Sequence, residues 1–304
     1  MTSKKIAFGW YGGKYSHLDW LLPLLPYTQH YCEPFGGSAA VLINRRPSPV
    51  ETYNDIDGEV ANFFRILREQ KDELLEAIGL TPFSREELRI AVNPPIENLT
   101  DLERARRFFV RARQVRTGLA QTASEGRWAH CKLTSRAGMA GAVSRWLGSV
   151  DGLAEIAQRL LRVQIESAPA IEVIKRYDTP ETLFYCDPPY VHASRSDTNA
   201  YAYEMTDDEH RVLAEVLHNA VGKVALSGYH STLMDELYGD WNYIEASAKK
   251  AHSTNTRPDS TKQDRTEVLW VNFLEERENN HQGKTECKPQ TNYLKTLFGE
   301  PETR

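Results

Sequence analysis

Tyr31-Cys32-Glu33-Pro34-Phe35-Gly36-Gly37-Ser38-Ala39 takes the chain from a short apolar run through a glycine turn and into residues 39–44, which read as a short helix. Strand, glycine-rich turn and helix in that order make up the nucleotide-binding unit of α/β proteins, where a ligand meets backbone N–H groups at a helix start. Gly36 and Gly37 let a ligand approach the backbone closely. No full G-x-G-x-x-G is present, and a bare Gly-Gly turn is also an ordinary structural turn, so the flanking sequence has to decide. A second candidate strand, residues 50–53, leads into Asn54-Asp55. Asp55 stands 22 residues after Glu33, where doubly wound sheets place an acid that accepts from ribose hydroxyls. Asp57 reads as the N-cap of a helix with apolar positions Val60, Phe63, Phe64 and Leu67.

The same rhythm returns further on. Residues 163–165 and 182–186 read as strands around a helix at 171–177, and helices at 207–219 and 232–237 flank a strand at 223–227. Residues 267–273 give a last strand. The pattern predicts an α/β fold. Between its two parts, residues 71–160 turn to helices rich in Arg and Glu, with a break at Asn93-Pro94-Pro95 and a Gly-, Ser- and Arg-bearing stretch after Thr117. The expected division is a catalytic domain made of residues 1–70 and 161–275, an insert at 71–160, and a polar, mobile tail at 276–304.

The strand at 182–186 runs into Asp187-Pro188-Pro189-Tyr190. Successive prolines fix φ, remove two backbone donors and restrict the residue before each, so the loop is stiff. It can offer the Asp187 carboxylate and the Pro188 carbonyl as two acceptors for an exocyclic NH₂ group, leaving the nitrogen lone pair free to attack a methyl group. Tyr190 offers a flat face for a base extruded from a duplex. A plain strand-end turn is the other reading.

Charge adds a partner class. The net charge of −5 argues against a protein that holds DNA over its whole surface, but residues 101–146 carry ten basic side chains against three acidic ones. Arg111, Arg113, Arg116, Arg127, Lys132 and Arg136 are the candidate DNA contacts in this stretch. Arg104, Arg107 and Arg111 also fit a solvated helix face, by their i, i+3, i+4 spacing. Lys249, Lys250, Arg257, Lys262 and Arg265 form a second basic stretch. Cys32, Cys131, Cys186 and Cys287 form no C-x-x-C pair, and the nine histidines show no metal-ligand spacing, so neither zinc nor disulfides are expected. His192 and His230 receive no role. No signal-peptide core precedes Gly9 and no long apolar run follows, which leads to the expectation of a cytoplasmic protein, nucleoid-associated through DNA and without a membrane anchor.

Gly9-Trp10-Tyr11-Gly12-Gly13-Lys14 precedes these blocks, either as a packed N-terminal arm or with Trp10 covering a ligand and Lys14 pairing a carboxylate. Taken in order, Gly9 to Lys14, Glu33-Pro34-Phe35-Gly36-Gly37, Asn54-Asp55-Ile56 and Asp187-Pro188-Pro189-Tyr190 resemble the Dam-type, D12 class (alpha group) adenine-specific DNA methyltransferases. Leu226-Ser227-Gly228-Tyr229 and Glu267-Val268-Leu269 also look familial, so the likeness spans about residues 6–273.

The resemblance implies a Rossmann-like methyltransferase fold with a mostly helical target-recognition insert, and S-adenosylmethionine as cofactor. Carried over, it makes Trp10, Lys14, Asp55 and Asp187 cofactor contacts, with Phe35 and Gly37 shaping the turn around the methionine part. Asp187, Pro188, Pro189 and Tyr190 become the catalytic loop, acting on N6 of a flipped adenine in double-stranded DNA without a metal. It leaves room for a cognate restriction enzyme as partner. Ala39 stands where the family has a second glycine, a swap expected to be tolerated at a helical φ but to leave less room for the cofactor. Three other readings stay open: cytosine N4 methylation, a catalytically silent DNA-binding relative, and a nicotinamide-dependent dehydrogenase, which would not explain the Pro-Pro loop.

Overall fold

The computed structural model describes residues 4–93, 98–191, 204–246 and 266–273. The second basic stretch from Lys249 to Arg265, His192, Pro94-Pro95 and the 276–304 tail lie outside the described residues. In chain order the elements are α1 (Leu18–Leu21), β1 (His30–Glu33), α2 (Ala40–Asn44), β2 (Val50–Asn54), α3 (Gly58–Glu69), α4 (Lys71–Gly79), α5 (Arg85–Val92) and α6 (Asp101–Arg113). A hairpin follows, β3 (Ser135–Arg136) and β4 (Met139–Ala140), then α7 (Gly141–Asp151), α8 (Leu153–Leu160), β5 (Gln164–Glu166), α9 (Ala170–Tyr177) and β6 (Thr182–Cys186). The chain closes with α10 (Asp207–His218), β7 (Lys223–Gly228), α11 (Thr232–Tyr238), β8 (Asn242–Glu245) and β9 (Val268–Val271).

Seven strands form one sheet in the order β5-β2-β1-β6-β7-β9-β8. The first five are mutually parallel, with His30 of β1 level with Val50 of β2 on one side and Thr182 of β6 on the other. β9 runs antiparallel between β7 and β8, bringing Val268 beside Gly228. The chain thus steps one way from β1 to β2 and places β6 on the other side. At that reversal the loops leaving β1 and β6 diverge, and a crevice opens at the carboxyl ends of the strands.

Side-chain alternation makes two cores from one sheet. Tyr31, Leu183, Tyr185, Ala225 and Leu269 point to one face, whereas Cys32, Phe184, Cys186, Val224 and Leu226 point to the other. Helices α9, α10 and α11 cover the second face through Val173, Leu213, Leu217 and Tyr238. The first face is covered by α2, α3, α6 and α8, and its centre is aromatic. The Phe8 ring meets Phe63 and Phe108 edge-on at 5.5 and 5.0 Å, and Phe63 stacks on Phe109 at 5.7 Å. Each such buried ring contributes about 1.5–3 kcal/mol.

Phe108, Phe109, Trp146, Leu153 and Ile156 all lie between 71 and 160, and all belong to the same core as Phe8 and Phe63. The helical segment therefore builds on the sheet's own core. Asp57 caps α3 as expected, its Oδ1 accepting from the Glu59 N–H at 2.9 Å, and Val60, Phe63, Phe64 and Leu67 are fully buried.

Ala39 needs a correction. Its φ is +53°, in the left-handed region, and its side chain is fully buried and does not line the crevice. It is neither helical nor beside the ligand space; the departure from glycine acts on the backbone instead. A left-handed L-residue costs roughly 1–2 kcal/mol, part of which glycine's greater unfolded-state entropy offsets. Ala39→Gly is expected to stabilise the protein by about 1 kcal/mol, a rise of roughly 2 °C in a thermal melt. An unchanged or lower midpoint would show that the turn is unstrained. Among the described residues no helix is long and apolar enough to cross a membrane, and no cluster of His, Cys, Asp and Glu could hold a metal ion.

Candidate active site

A cavity of about 590 Å³ fills the crevice, within the size range of small-molecule sites. Trp10, Lys14, Phe35, Gly37, Asp55 and Asp187, the six residues the sequence nominated for a cofactor, all line it. They come from four separate segments, near the N-terminus and after β1, β2 and β6.

The turn after β1 is fastened to the end of β2. Gly36 donates to the Asn54 carbonyl at 2.8 Å, the Asn54 side chain donates to the Pro34 carbonyl at 2.8 Å, and the Tyr53 hydroxyl donates to the Gly37 carbonyl at 2.7 Å. Gly37 has φ +49°, and a Cβ there would stand 2.5 Å from Trp10 Nε1, so the indole lies directly on the glycine. Trp10 is thereby a wall of the cavity, and glycine is required beneath it.

Asp55 accepts from the Gly37 N–H at 2.8 Å through one oxygen and from the Asp57 N–H at 2.8 Å through the other. A carboxylate has about four acceptor positions, so two remain for ligand hydroxyls. Burial pushes its pKa up to about 6, against the pull of the two backbone bonds. Glu33, at the end of β1, also lines the cavity. Burial raises it to about 8, against the Tyr31 hydroxyl that donates to it at 2.6 Å.

Lys14 is buried and its ammonium is fully engaged. It donates to the Gly12 carbonyl at 2.8 Å and to both Asp187 oxygens at 2.6 and 2.8 Å, with Glu267 Oε1 at 3.4 Å. Burial alone would lower the Lys14 pKa; the Asp187 and Glu267 charges outweigh it and raise it. Asp187 is raised by burial, with Lys14 pulling it back. One ammonium faces two carboxylates, which leaves a surplus negative charge beside the cavity when both are ionised.

The loop from Asp187 to Tyr190 divides in two. Asp187 and Pro189 line the cavity, while Pro188 and Tyr190 are buried and do not. Tyr190 is the second correction. Its ring is not an open stacking face but is packed between Lys14, whose Nζ lies 5.0 Å from the centroid, and Tyr229, edge-on at 4.8 Å. Its hydroxyl donates to Glu267. Glu267 was not among the nominated site residues: Glu267-Val268-Leu269 stood out only as a familial stretch, and its partners are separated from it by more than 70 residues.

The six candidate DNA contacts also separate. Arg111 and Arg113 are corrections: Arg111 donates to Glu59 at 3.1 Å and to the Ala91 carbonyl at 3.1 Å, and Arg113 donates to the Ala7 and Ile6 carbonyls at 2.8 and 3.1 Å. Burial lowers the Arg113 pKa to about 10. Charge counting within 101–146 missed acids outside that stretch: Glu59 pairs with Arg104 and Arg111, and Glu87 with Arg106. Arg116, Arg127, Lys132 and Arg136 are exposed. Lys132 and Arg136 border a hairpin whose neighbour Leu133 is 97% exposed.

A family model for D12 class N6 adenine-specific DNA methyltransferases matches residues 10–252. No curated protein matches the sequence. Among solved structures, the rRNA methyltransferase AviRa from Streptomyces viridochromogenes is similar at 12% identity, over 84% of this chain and 83% of that chain, with a TM-score of 0.29. A likeness that weak adds nothing on fold or activity. The family match spans most of the chain, from the Trp10 wall through the Asp187 loop, and the chain belongs to the D12 class N6 adenine-specific DNA methyltransferases.

Proposed function

We propose that the protein transfers the methyl group of S-adenosylmethionine to the exocyclic N6 amino group of an adenine turned out of double-stranded DNA, as a Dam-type (alpha group) member of its class. The observation that carries this reading is the meeting, at one cavity, of the Asp187 loop and the Gly37–Asp55 turn. The residues suit the cofactor. Asp55 has acceptor positions for ribose hydroxyls, Trp10 and Phe35 supply apolar walls, Gly37 shapes the turn, and the surplus carboxylate near Lys14 favours a cationic centre. When bound, the cofactor supplies the electrophilic methyl group.

Asp187 and the Pro188 carbonyl accept the two amino hydrogens of the base, which aligns the nitrogen lone pair, and Pro189 keeps the loop rigid. Tyr190 acts as a strut, holding the loop to Glu267. The amino proton leaves to solvent, and no metal is needed. Residues 71–160 serve as the target-recognition segment. Arg116, Arg127, Lys132 and Arg136 meet phosphates on its exposed side. A restriction enzyme cutting the same site would be the natural partner of such an activity, and resistance of methylated plasmid to that enzyme would reveal it.

Incubation with DNA and labelled cofactor, followed by nucleoside mass spectrometry, tests the reading. Label in N6-methyladenine is expected; label in N4-methylcytosine, or none, would sink it. The basic hairpin has its own test. Replacing Lys132 and Arg136 with alanine should reduce the slope of log affinity against log salt by about two, roughly one for each phosphate that is no longer neutralised. An unchanged slope in a titration of duplex DNA would remove both from the interface.

Asp55 gives a pH signature. Its folded-state pKa of about 6 lies above the ordinary carboxylate value, so the ionised acceptor is present at pH 7 and lost as pH falls through 6. Cofactor affinity should weaken about tenfold from pH 7 to pH 5 in calorimetry. Asp55→Asn should bind more weakly and lose that dependence; a variant with the wild-type profile would assign the titration to another group.

A further inference from the structure

Glu267 opens the Glu267-Val268-Leu269 stretch and lies apart in sequence from the loops that carry Lys14 and Asp187. It is buried immediately before β9, whose antiparallel course sets Val268 beside Gly228 and so brings Glu267 to the carboxyl edge of the parallel strands. Its Oε1 accepts from Tyr190 and lies 3.4 Å from Lys14 Nζ. Lys14 in turn holds both oxygens of Asp187. In the proposed reaction one of those oxygens must accept a hydrogen from the substrate's amino group. A buried ammonium cannot be left without a counter-charge while it does so. Among the described residues, Asp187 and Glu267 are the two carboxylates within ion-pair distance of Lys14.

We infer that Glu267 is a positioning residue for methyl transfer: it gives the Lys14 ammonium a second counter-charge and pins the Tyr190 hydroxyl, so that Asp187 can turn its carboxylate to the substrate amino group. The role rests on the reading of Asp187 given above. No bond forms or breaks in this step, and Lys14 keeps all three of its hydrogens. The ammonium moves a fraction of an ångström between two acceptors that already flank it.

The full chain with duplex DNA tests this through Glu267→Gln, Glu267→Asp, Lys14→Met and the Lys14→Met/Glu267→Gln pair. Glutamine retains an acceptor for Tyr190 but not the charge. Glu267→Gln should lower kcat by about tenfold or more, with cofactor Kd and the KM for DNA changed much less, and Glu267→Asp should recover most of the rate. Lys14→Met leaves two buried acids facing each other, so adding Glu267→Gln should raise the melting temperature above that of Lys14→Met alone, reversing the sign of its effect. Independent effects of the two substitutions on melting would overturn the shared-ammonium arrangement without any appeal to activity. A wild type that methylates adenine and a Glu267→Gln variant that keeps its rate would sink this role alone. A wild type that does not methylate adenine would sink the reading of Asp187, and this role with it.

Discussion

Asp187→Ala is expected to lower single-turnover methyl transfer to DNA by about 10²- to 10³-fold, the scale on which a preorganised group at a reacting centre acts. The loss should fall on kcat. The fold should survive, because Lys14 keeps Glu267 as counter-charge and Pro188 and Pro189 still fix the loop. Asp187→Asn separates shape from charge. The amide has the same outline but keeps a single acceptor oxygen; with Lys14 donating to that oxygen, its NH₂ faces an amino group that also donates, so it should be nearly as slow as alanine. Rapid-quench assays with labelled cofactor measure both, with thermal melts as the control for folding. Transfer at the wild-type rate in either variant would remove Asp187 from the chemistry.

Gly37→Ala is expected to lose both stability and cofactor binding. A left-handed backbone costs an alanine roughly 1–2 kcal/mol. Its Cβ would stand 2.5 Å from Trp10 Nε1 and 2.6 Å from Cδ1, an overlap that ordinarily costs about 1–3 kcal/mol. The sum, about 2–5 kcal/mol, corresponds to a fall of roughly 4–10 °C in melting temperature. Relief can come only from displacing the indole, which is the cavity wall, so calorimetry should show affinity falling as well. Adding Trp10→Ala should recover the steric share of the stability and none of the affinity. A Gly37→Ala protein that melts and binds normally would mean that the indole does not rest on this turn.

These expectations rest on residues whose legibility in the sequence differs for physical reasons. The strand at Thr182–Cys186 was readable to the residue, because a strand buried on both faces is a continuous apolar run bounded by turn signals. The helix from Gly58 was equally plain, with its Asp57 cap and its aromatic stripe. By contrast, β8 (Asn242–Glu245) escaped notice. It is an edge strand with no fully buried face and Tyr243 56% exposed, and its sequence Asn-Tyr-Ile-Glu sets two apolar residues side by side, so no apolar-polar alternation marks it. The lining of the cavity was legible because Trp10, Gly37, Asp55 and Asp187 each sit in short motifs with local turn chemistry. Tyr190 and Glu267 were not, since the direction of the ring depends on a carboxylate brought from a distant strand. Arg111 and Arg113 failed for a related reason. Their partners, Glu59 and the Ile6 and Ala7 carbonyls, lie about fifty to a hundred residues away in sequence.

The reversed course of β9 bears on how much change such a protein can absorb. Because β8 and β9 form an antiparallel pair, Glu245 and Val268 stand level with each other, so the chain leaves β8 beside the point at which it enters β9. Residues can be added to or removed from that connection without shifting any strand's register. Doubling the length of a loop costs only about 0.6 kcal/mol. Changes of length between these two strands can therefore leave the Lys14, Asp187 and Glu267 cluster in place, and a library of altered connections between Glu245 and Val268 is an economical starting point for engineering the enzyme.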